Sequence, residues 1–392
     1  MGKKSGKKKV HTDWMKTATD AELTWAYLTG CEVDREPIKA EQARRAQQQE
    51  RCQQSAAPKA LIGLGDTADK SGGSTKMSNT SISVSEFILH CEIRSDQRSG
   101  IISALTLIFF TSMFGNLLVI TVIIANRHLH APMYLFIVTL ATIDLTNSSV
   151  LIPKMLSILL FDSSVPYAAC VLQMFIVFHI DEMEALLLAF MAIDRYVAVL
   201  YPLRYPSLIT NKTVGYSVLI MNIFGLIFKS PFLFFVGELS FCQTNILPYC
   251  FCDYSTMVHI ACNQNPKYLS FLSAAVFTTG VVPLGLILFT YSRVVLAAIM
   301  ISSAEGKKKV FSTCLTHLLV VGLFYIPLLL SYLLPGAGVK LSTEAYNAMV
   351  IVGNVLPPML NPIIYSFRNK EIKVCIHRLF TGKRNQASVN HD

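Results

Sequence analysis

Charge is scarce in this chain of 392 residues: Asp, Glu, Lys and Arg make up 15% of it, against 52% hydrophobic residues. Soluble domains carry about 25% charged residues, so the deficit excludes an ordinary water-soluble fold and points to a polytopic membrane protein. Other absences narrow the class further. No His/Glu metal motif and no Ser/His/Asp set appears, which argues against an intramembrane enzyme and leaves no metal or cofactor to expect. An inverted repeat with paired broken spans is also missing, which disfavours a transporter or channel, the main rival for a chain with acids inside the membrane. The basic start, GKKSGKKK, is followed by no apolar h-region and is not a signal peptide.

What is present is a set of seven apolar segments, near 101–125, 134–160, 170–194, 214–236, 268–300, 310–334 and 345–366. Each is long enough to cross a hydrocarbon core of about 30 Å as a helix, whereas barrel strands need only ~9–11 residues. The expected fold is therefore an all-α, seven-helix membrane bundle. Arg127, Arg195, Arg204, Lys212, Arg293, Lys307 and Arg368 are among the basic residues of the loops after segments 1, 3 and 5 and of the tail. Those after segments 2, 4 and 6 hold only Lys267 and Lys340. Cytoplasmic loops keep the excess of Lys and Arg, so the amino terminus is outside and the carboxyl terminus inside. The net charge of +9 is mostly this asymmetry plus the basic start and gives no reason to expect a nucleic-acid partner.

The chain divides accordingly. Residues 1–76 cannot bury a core and read either as a disordered extension or as a gene-model addition ahead of Met77. Residues 77–100 form an extracellular terminus with a glycosylation sequon at Asn79. The seven-helix domain covers 101–366, and 367–392 forms an amphipathic basic helix on the inner leaflet, in contact with membrane lipid, followed by a tail. Sequons at Asn147 and Asn211 fall inside a span and on a cytoplasmic loop, where no glycan is expected.

Polar residues inside the spans carry the functional reading. At the inner end of the third segment, Asp194, Arg195 and Tyr196 place a charge at the membrane boundary, with Asp194 neutralising Arg195 until a partner competes for it. Glu184 precedes Arg195 by eleven positions, Asp144 follows Tyr134 by ten and Asn116 precedes Arg127 by eleven; at 1.5 Å per residue all three lie ~15 Å above the inner surface. Asn361 of the seventh segment lies slightly lower. This layer is either a hydrogen-bonded knot that fixes packing or a site whose carboxylates share a proton or a small cation. Asp181 and Glu182 crowd the same helix, where an ionised acid costs ~2.5–3.5 kcal/mol to insert.

Cysteines facing the secretory lumen are expected to pair. Cys170–Cys252 and Cys242–Cys262 are the expected disulfides, with Cys91–Cys250 completing the set. A zinc site at Cys250–Phe251–Cys252 lacks CxxC spacing and a full ligand set.

Gly115–Asn116, LHAPMYLF (Leu129–Phe136), MAIDRYVAVLYPLRY (Met191–Tyr205), the ten-residue spacing of Cys242, Cys252 and Cys262, FSTCLTH (Phe311–His317) and PMLNPIIYSFRNK (Pro358–Lys370) resemble the rhodopsin-like G-protein-coupled receptors. More narrowly they resemble the olfactory receptors, of the fish type. The resemblance covers nearly everything after residue 77. It implies a receptor in the plasma membrane of sensory cilia that binds a small-molecule odorant and couples to a heterotrimeric, stimulatory G protein and cyclic AMP. Arg195 and Tyr365 would move on activation, Tyr291 would help hold the open state, Asn361–Pro362 would unwind the seventh helix locally, and Tyr325 would take the toggle position. From helix phase, Gln173, Met174, Val177, Phe178, Asp181 and Glu182 would line the ligand site, with Phe271 and Tyr325 opposite. Asp181 suggests a polar or cationic ligand, unless it pairs internally with His179 or Lys229. Lys229, a fourth helix without Trp, Leu200 and Val310 depart from the family pattern and bear on tuning more than on class. The runner-up is a non-olfactory receptor for a small amine or peptide.

Overall fold

A computed structural model describes residues 84–381 except 92, 94, 162–163, 243, 264, 337–338 and 340–341. The 1–76 extension, the Asn79 sequon, Lys340 and residues 382–392 lie outside the described residues. Helices dominate: α1 (Ser95–Ala125), α2 (Pro132–Phe161), α3 (Tyr167–Leu200), the short α4 (Tyr205–Leu208), α5 (Asn211–Glu238), α6 (Tyr254–Ile260), α7 (Pro266–Val276), α8 (Val282–Ile299), α9 (Ala304–Gly336), α10 (Thr343–Arg368) and α11 (Lys370–Thr381). A π turn, Phe277–Val281, joins α7 to α8, so the two form one span interrupted near Pro283.

Among the described residues, six helices are long and apolar enough to cross a membrane: Gln97–Ala125, Pro132–Phe161, Asn211–Glu238, Pro266–Ile299, Ala304–Ser331 and Asn347–Arg368. The seventh span, α3, is 34 residues long and falls outside that set because of its acids. It packs against α2, α5 and α8, and Glu182, Glu184 and Asp194 are buried. The apolar surface of α5 points the other way, with Leu219, Ile220, Ile223, Phe224 and Ile227 all exposed. Such a continuous apolar face belongs against lipid.

Proline is frequent inside these spans, and each one removes the N–H that would reach the carbonyl four residues back. The structure supplies replacements. Pro362 strands the carbonyl of Pro358, which accepts from Asn116 Nδ2 at 2.8 Å and Ser112 Oγ at 3.1 Å, both on α1. Pro358 strands that of Asn354, which accepts from Asn147 Nδ2 of α2 at 2.9 Å. Pro231 strands that of Ile227, which accepts from Ser230 Oγ at 2.8 Å. α10 stays helical through Pro357, Pro358 and Pro362; the local unwinding expected at Asn361–Pro362 does not occur, and neighbouring helices satisfy the carbonyls that Pro358 and Pro362 leave open. Gly115 belongs to the same junction: a Cβ there would sit 2.9 Å from Pro362 Cγ, so only glycine lets α1 approach closely.

Two differences from the sequence reading concern the ends. The outer terminus contains a strand, β1 (Glu86–Leu89), between β2 (Ser164–Pro166) and β3 (Ile246–Leu247). It pairs antiparallel with β2, Phe87 opposite Val165, and parallel with β3, Leu89 opposite Leu247. Phe87 and Leu89 point inward and Glu86 and Ile88 outward, the alternation of a one-face-buried strand. The otherwise all-α fold thus carries a small outer sheet, and α1 begins at Ser95, before the expected boundary. At the other end, Phe367 and Arg368 belong to α10. Asn369 separates the helices and caps α11, its Oδ1 accepting from Glu371 N at 3.1 Å and Ile372 N at 3.2 Å. Ile372 and Cys375 of α11 are buried, while Leu379 and Phe380 are exposed.

The core has separate inner and outer parts. Leu129, Leu140, Leu187, Leu188, Tyr291, Tyr365 and Ile372 form the inner cluster. Phe87, Leu89, Met174, Phe232, Tyr254 and Met257 belong to an outer one, and Ile152, Met155, Tyr249, Phe251 and Val355 to a third.

Candidate functional site

Asp194 and Arg195 occupy the last turns of α3. Arg195 Nη2 lies 3.2 Å from Asp194 Oδ2, and Asp194 is itself buried. The other carboxylate oxygen, Oδ1, accepts a 2.7 Å hydrogen bond from the hydroxyl of Tyr205, the first residue of α4. Burial and the neighbouring carboxylate push the Tyr205 phenol well above its ordinary range, so it remains a donor throughout the physiological range. Tyr205 was not expected as a participant; its position in the MAIDRYVAVLYPLRY stretch was the available signal. Tyr196 points elsewhere, its ring packed edge-on against Tyr201 at 6.0 Å.

Tyr291 on α8 is buried, and its hydroxyl lies 2.7 Å from His317 Nδ1 on α9 with the rings stacked. The hydroxyls of Tyr365 and Tyr325 are buried without a hydrogen-bond partner among the described residues. Arg195 is thus held by its own neighbour while Tyr291 is engaged elsewhere.

Above this region the expected polar layer resolves into two adjoining sets. Asn361 Nδ2 donates to both carboxylate oxygens of Asp144, at 3.3 and 3.1 Å. Asn116 and Ser112 serve the Pro358 carbonyl, and Ser112 Oγ lies 2.7 Å from Ser148 Oγ. Glu184 is buried and faces Asp144 and Asp181 electrostatically, but hydrogen-bonds to neither, and its Oε1 has no partner among the described residues. The four groups therefore fall into separate hydrogen-bonded sets and do not form a single knot.

In the outer half, several expected ligand contacts have structural duties. Gln173 is nearly enclosed; its Nε2 donates to Val150 O at 3.0 Å and its Oε1 accepts from Cys252 N at 3.2 Å, so its amide is already committed to holding α2, α3 and the loop together. Met174 and Val177 are buried in core clusters. Phe178 packs edge-on to Phe232 at 4.8 Å, and Phe271 on α7 meets the same Phe232 at 4.9 Å. Lys229 of α5 is buried with its Nζ 3.6 Å from Glu182 Oε2. His179 Nε2 lies 3.3 Å from Asn222 Oδ1 instead of reaching Asp181. Asp181 is half-buried and has no hydrogen bond or ion pair among the described residues.

Three disulfides close the outer face: Cys91–Cys250, Cys170–Cys252 and Cys242–Cys262, with Cα–Cα separations of 4.5, 5.3 and 5.9 Å. Of the two intramembrane or cytoplasmic sequons, Asn147 is buried and committed to Asn354 O, and Asn211 Nδ2 donates to His130 O at 2.8 Å.

Seven spans around an acid-bearing third helix, an Asp–Arg pair at its inner end and a proline-rich seventh helix define a rhodopsin-like G-protein-coupled receptor. The family model for "Olfactory receptor" matches residues 105–383. Olfactory receptor 1E16 of Mus musculus is 35% identical over 310 residues, covering 78% of this chain and 98% of that receptor. Olfactory receptor 1E1 of Pan troglodytes is 35% identical over 317 residues, 80% of this chain and 100% of its own length. Olfactory receptor 1 of Rattus norvegicus is 36% identical over 284 residues, 72% and 89% respectively. The chain belongs to the olfactory receptor family. It is an odorant-activated, multi-pass receptor of the plasma membrane, not an enzyme, and it couples a small-molecule ligand to a G protein and cyclic AMP.

Proposed function

We propose that this receptor transmits ligand binding by releasing Arg195. In the resting arrangement, Asp194 neutralises Arg195 and Tyr205 holds Asp194. A ligand in the outer half, among Phe178, Asp181, Phe271 and Tyr325, favours a second arrangement of α8, α9 and α10. There Arg195 is free to meet the G-protein α subunit, and Tyr291 and Tyr365 line the opening. The coupling is no larger than the difference in ligand affinity between the two arrangements. The observation that carries this reading is the two-contact restraint on Asp194, at 3.2 Å from Arg195 and 2.7 Å from Tyr205. Sensory cilia are the proposed location, and α11 is proposed to lie on inner-leaflet lipid through its exposed Leu379 and Phe380.

The test is a cyclic-AMP assay on the full chain in cells supplied with an olfactory-type G protein, comparing the wild type with Arg195→Ala. The variant is expected at the surface in normal amount but with basal and ligand-evoked signals lost. A normal signal from the variant rejects Arg195 as the coupling residue.

A further inference from the structure

Between α3 and α5 lies a group of ionisable side chains of which the activation mechanism uses Asp181 alone. Lys229 and Glu182 are both almost fully buried and face each other at 3.6 Å. The rings of Phe178, Phe228 and Phe232 surround the ammonium at 5.4–5.9 Å. Both oxygens of Glu182 lack a hydrogen bond among the described residues, so Lys229 is what answers its charge. Asp181, the adjacent residue, has Lys229 within electrostatic reach but not within ion-pair distance, and it is the acid of the two that retains accessible surface. Glu184 and His179 complete the neighbourhood, and His179 is turned toward Asn222. The balance is therefore three acids against one base: the base is taken by Glu182, Glu184 is buried, and Asp181 is the one of the three that keeps accessible surface.

A carboxylate this deep in the membrane is costly unless a proton or a cation answers it. We propose that Lys229 fixes the charge selectivity of the ligand site: by binding Glu182 it leaves Asp181 as the one available counter-ion, and the receptor's ligands carry an ammonium group. Lys229 acts through Glu182 and does not itself touch the ligand, so it is a specificity-determining residue by position. This inference rests on the odorant-receptor reading of the same site and adds the chemical class of the ligand. It also gives the buried Lys229 a purpose, since an apolar residue there would leave Glu182 as well as Asp181 unanswered.

The experiment measures cyclic AMP in cells expressing the full chain, using n-hexylamine, hexanol and hexanoic acid as probes of one chain length. A homologous amine series from butyl to octyl covers the fit. The amines are expected to activate, and Asp181→Asn to cut their potency by on the order of tenfold or more, the loss expected for removing one charged partner from a close pair. Glu182→Gln should produce a comparable loss, because the released Lys229 then turns to Asp181. The double variant Glu182→Gln, Lys229→Met removes a self-cancelling pair and should restore the amine response. That rescue would not follow from a merely structural role. Epitope staining at the cell surface establishes that each variant is folded and delivered.

Equal responses to amine and acid, an undiminished amine response in Asp181→Asn, or a surface-displayed double variant that fails to recover would each overturn the proposal. So would silence toward every amine while the basal, Arg195-dependent signal stands. Loss of that basal signal in the wild type would instead count against the coupling mechanism, so the two readings fail separately.

Discussion

The outer and inner ends of this receptor are held by different kinds of interaction. Outside, three disulfides, a three-stranded sheet and an aromatic cluster centred on Phe232 tie the amino-terminal strand, the second outer loop and three spans together. Inside, where an apolar cluster packs the helices without covalent links, the polar restraints are single contacts: Asp194 with Arg195, Tyr205 with Asp194, Tyr291 with His317. Covalent links persist through any motion, whereas a hydrogen bond of ~1–3 kcal/mol can be exchanged for another. On the proposed mechanism the outer geometry stays fixed while the inner end changes partners, which is what conversion of a ligand's small binding energy into an opening requires.

The contrast can be broken most severely from the outside. Cys252→Ser removes the link to α3 and costs ~2–5 kcal/mol; surface delivery should fall to near background, read by flow cytometry of an extracellular epitope. Full display of a responsive Cys252→Ser receptor would mean that the outer end is not held covalently in the sense argued. From the inside, Tyr205→Phe removes one hydrogen bond to a buried carboxylate, worth ~1.5–3 kcal/mol. Display should be unchanged and basal cyclic AMP should rise several-fold, since the resting arrangement alone loses a contact; a basal signal at or below wild type would show that Tyr205 does not restrain Asp194.

The smallest effect sharpens the contrast at the cap itself. Asp253 caps α6, its Oδ2 accepting from Thr256 N at 2.9 Å and Thr256 Oγ1 at 3.0 Å, and burial nevertheless raises its carboxyl above the usual range. An acid with a raised folded value holds more proton folded than unfolded across the interval between the two values, so stability falls as pH rises through that interval. The detergent-solubilised receptor should accordingly melt slightly higher at mildly acidic pH than at neutral pH. Asp253→Asn, which can still cap the helix, should flatten that slope. An equal slope in the variant assigns the pH dependence to another group.

Much of this was legible in the residues. Span lengths, the sidedness of Lys and Arg and the motifs at Asp194–Tyr196 and Asn361–Tyr365 are local patterns governed by hydrophobic length and helix geometry, and the seven helices lie within a few residues of their expected places. The outer strand was not legible, because Glu86–Leu89 is too short for its alternation to stand out and gains its partners only when Cys91 and the loops are in place. Which base answered which acid was equally hidden: Asp181, Glu182, His179 and Lys229 allow several pairings, and only helix rotation gives Lys229 to Glu182. Asn147 lay in plain view as a mid-span amide, yet its duty depends on Pro358, more than two hundred residues away. Pairings across such distances are set by packing and leave no local trace.

The proline-stranded carbonyls of α10 also have a consequence for biogenesis. The last span to leave the ribosome enters the bilayer with Asn354 and Pro358 carbonyls that its own ladder cannot serve, and their donors, Asn147, Asn116 and Ser112, belong to the first two spans made. Lipid offers no substitute donor. The closing step of synthesis is thereby tied to the opening ones: a chain whose first helices are misplaced is left with bare acceptors in its last helix, and the completed receptor contains a built-in check on its own order of assembly.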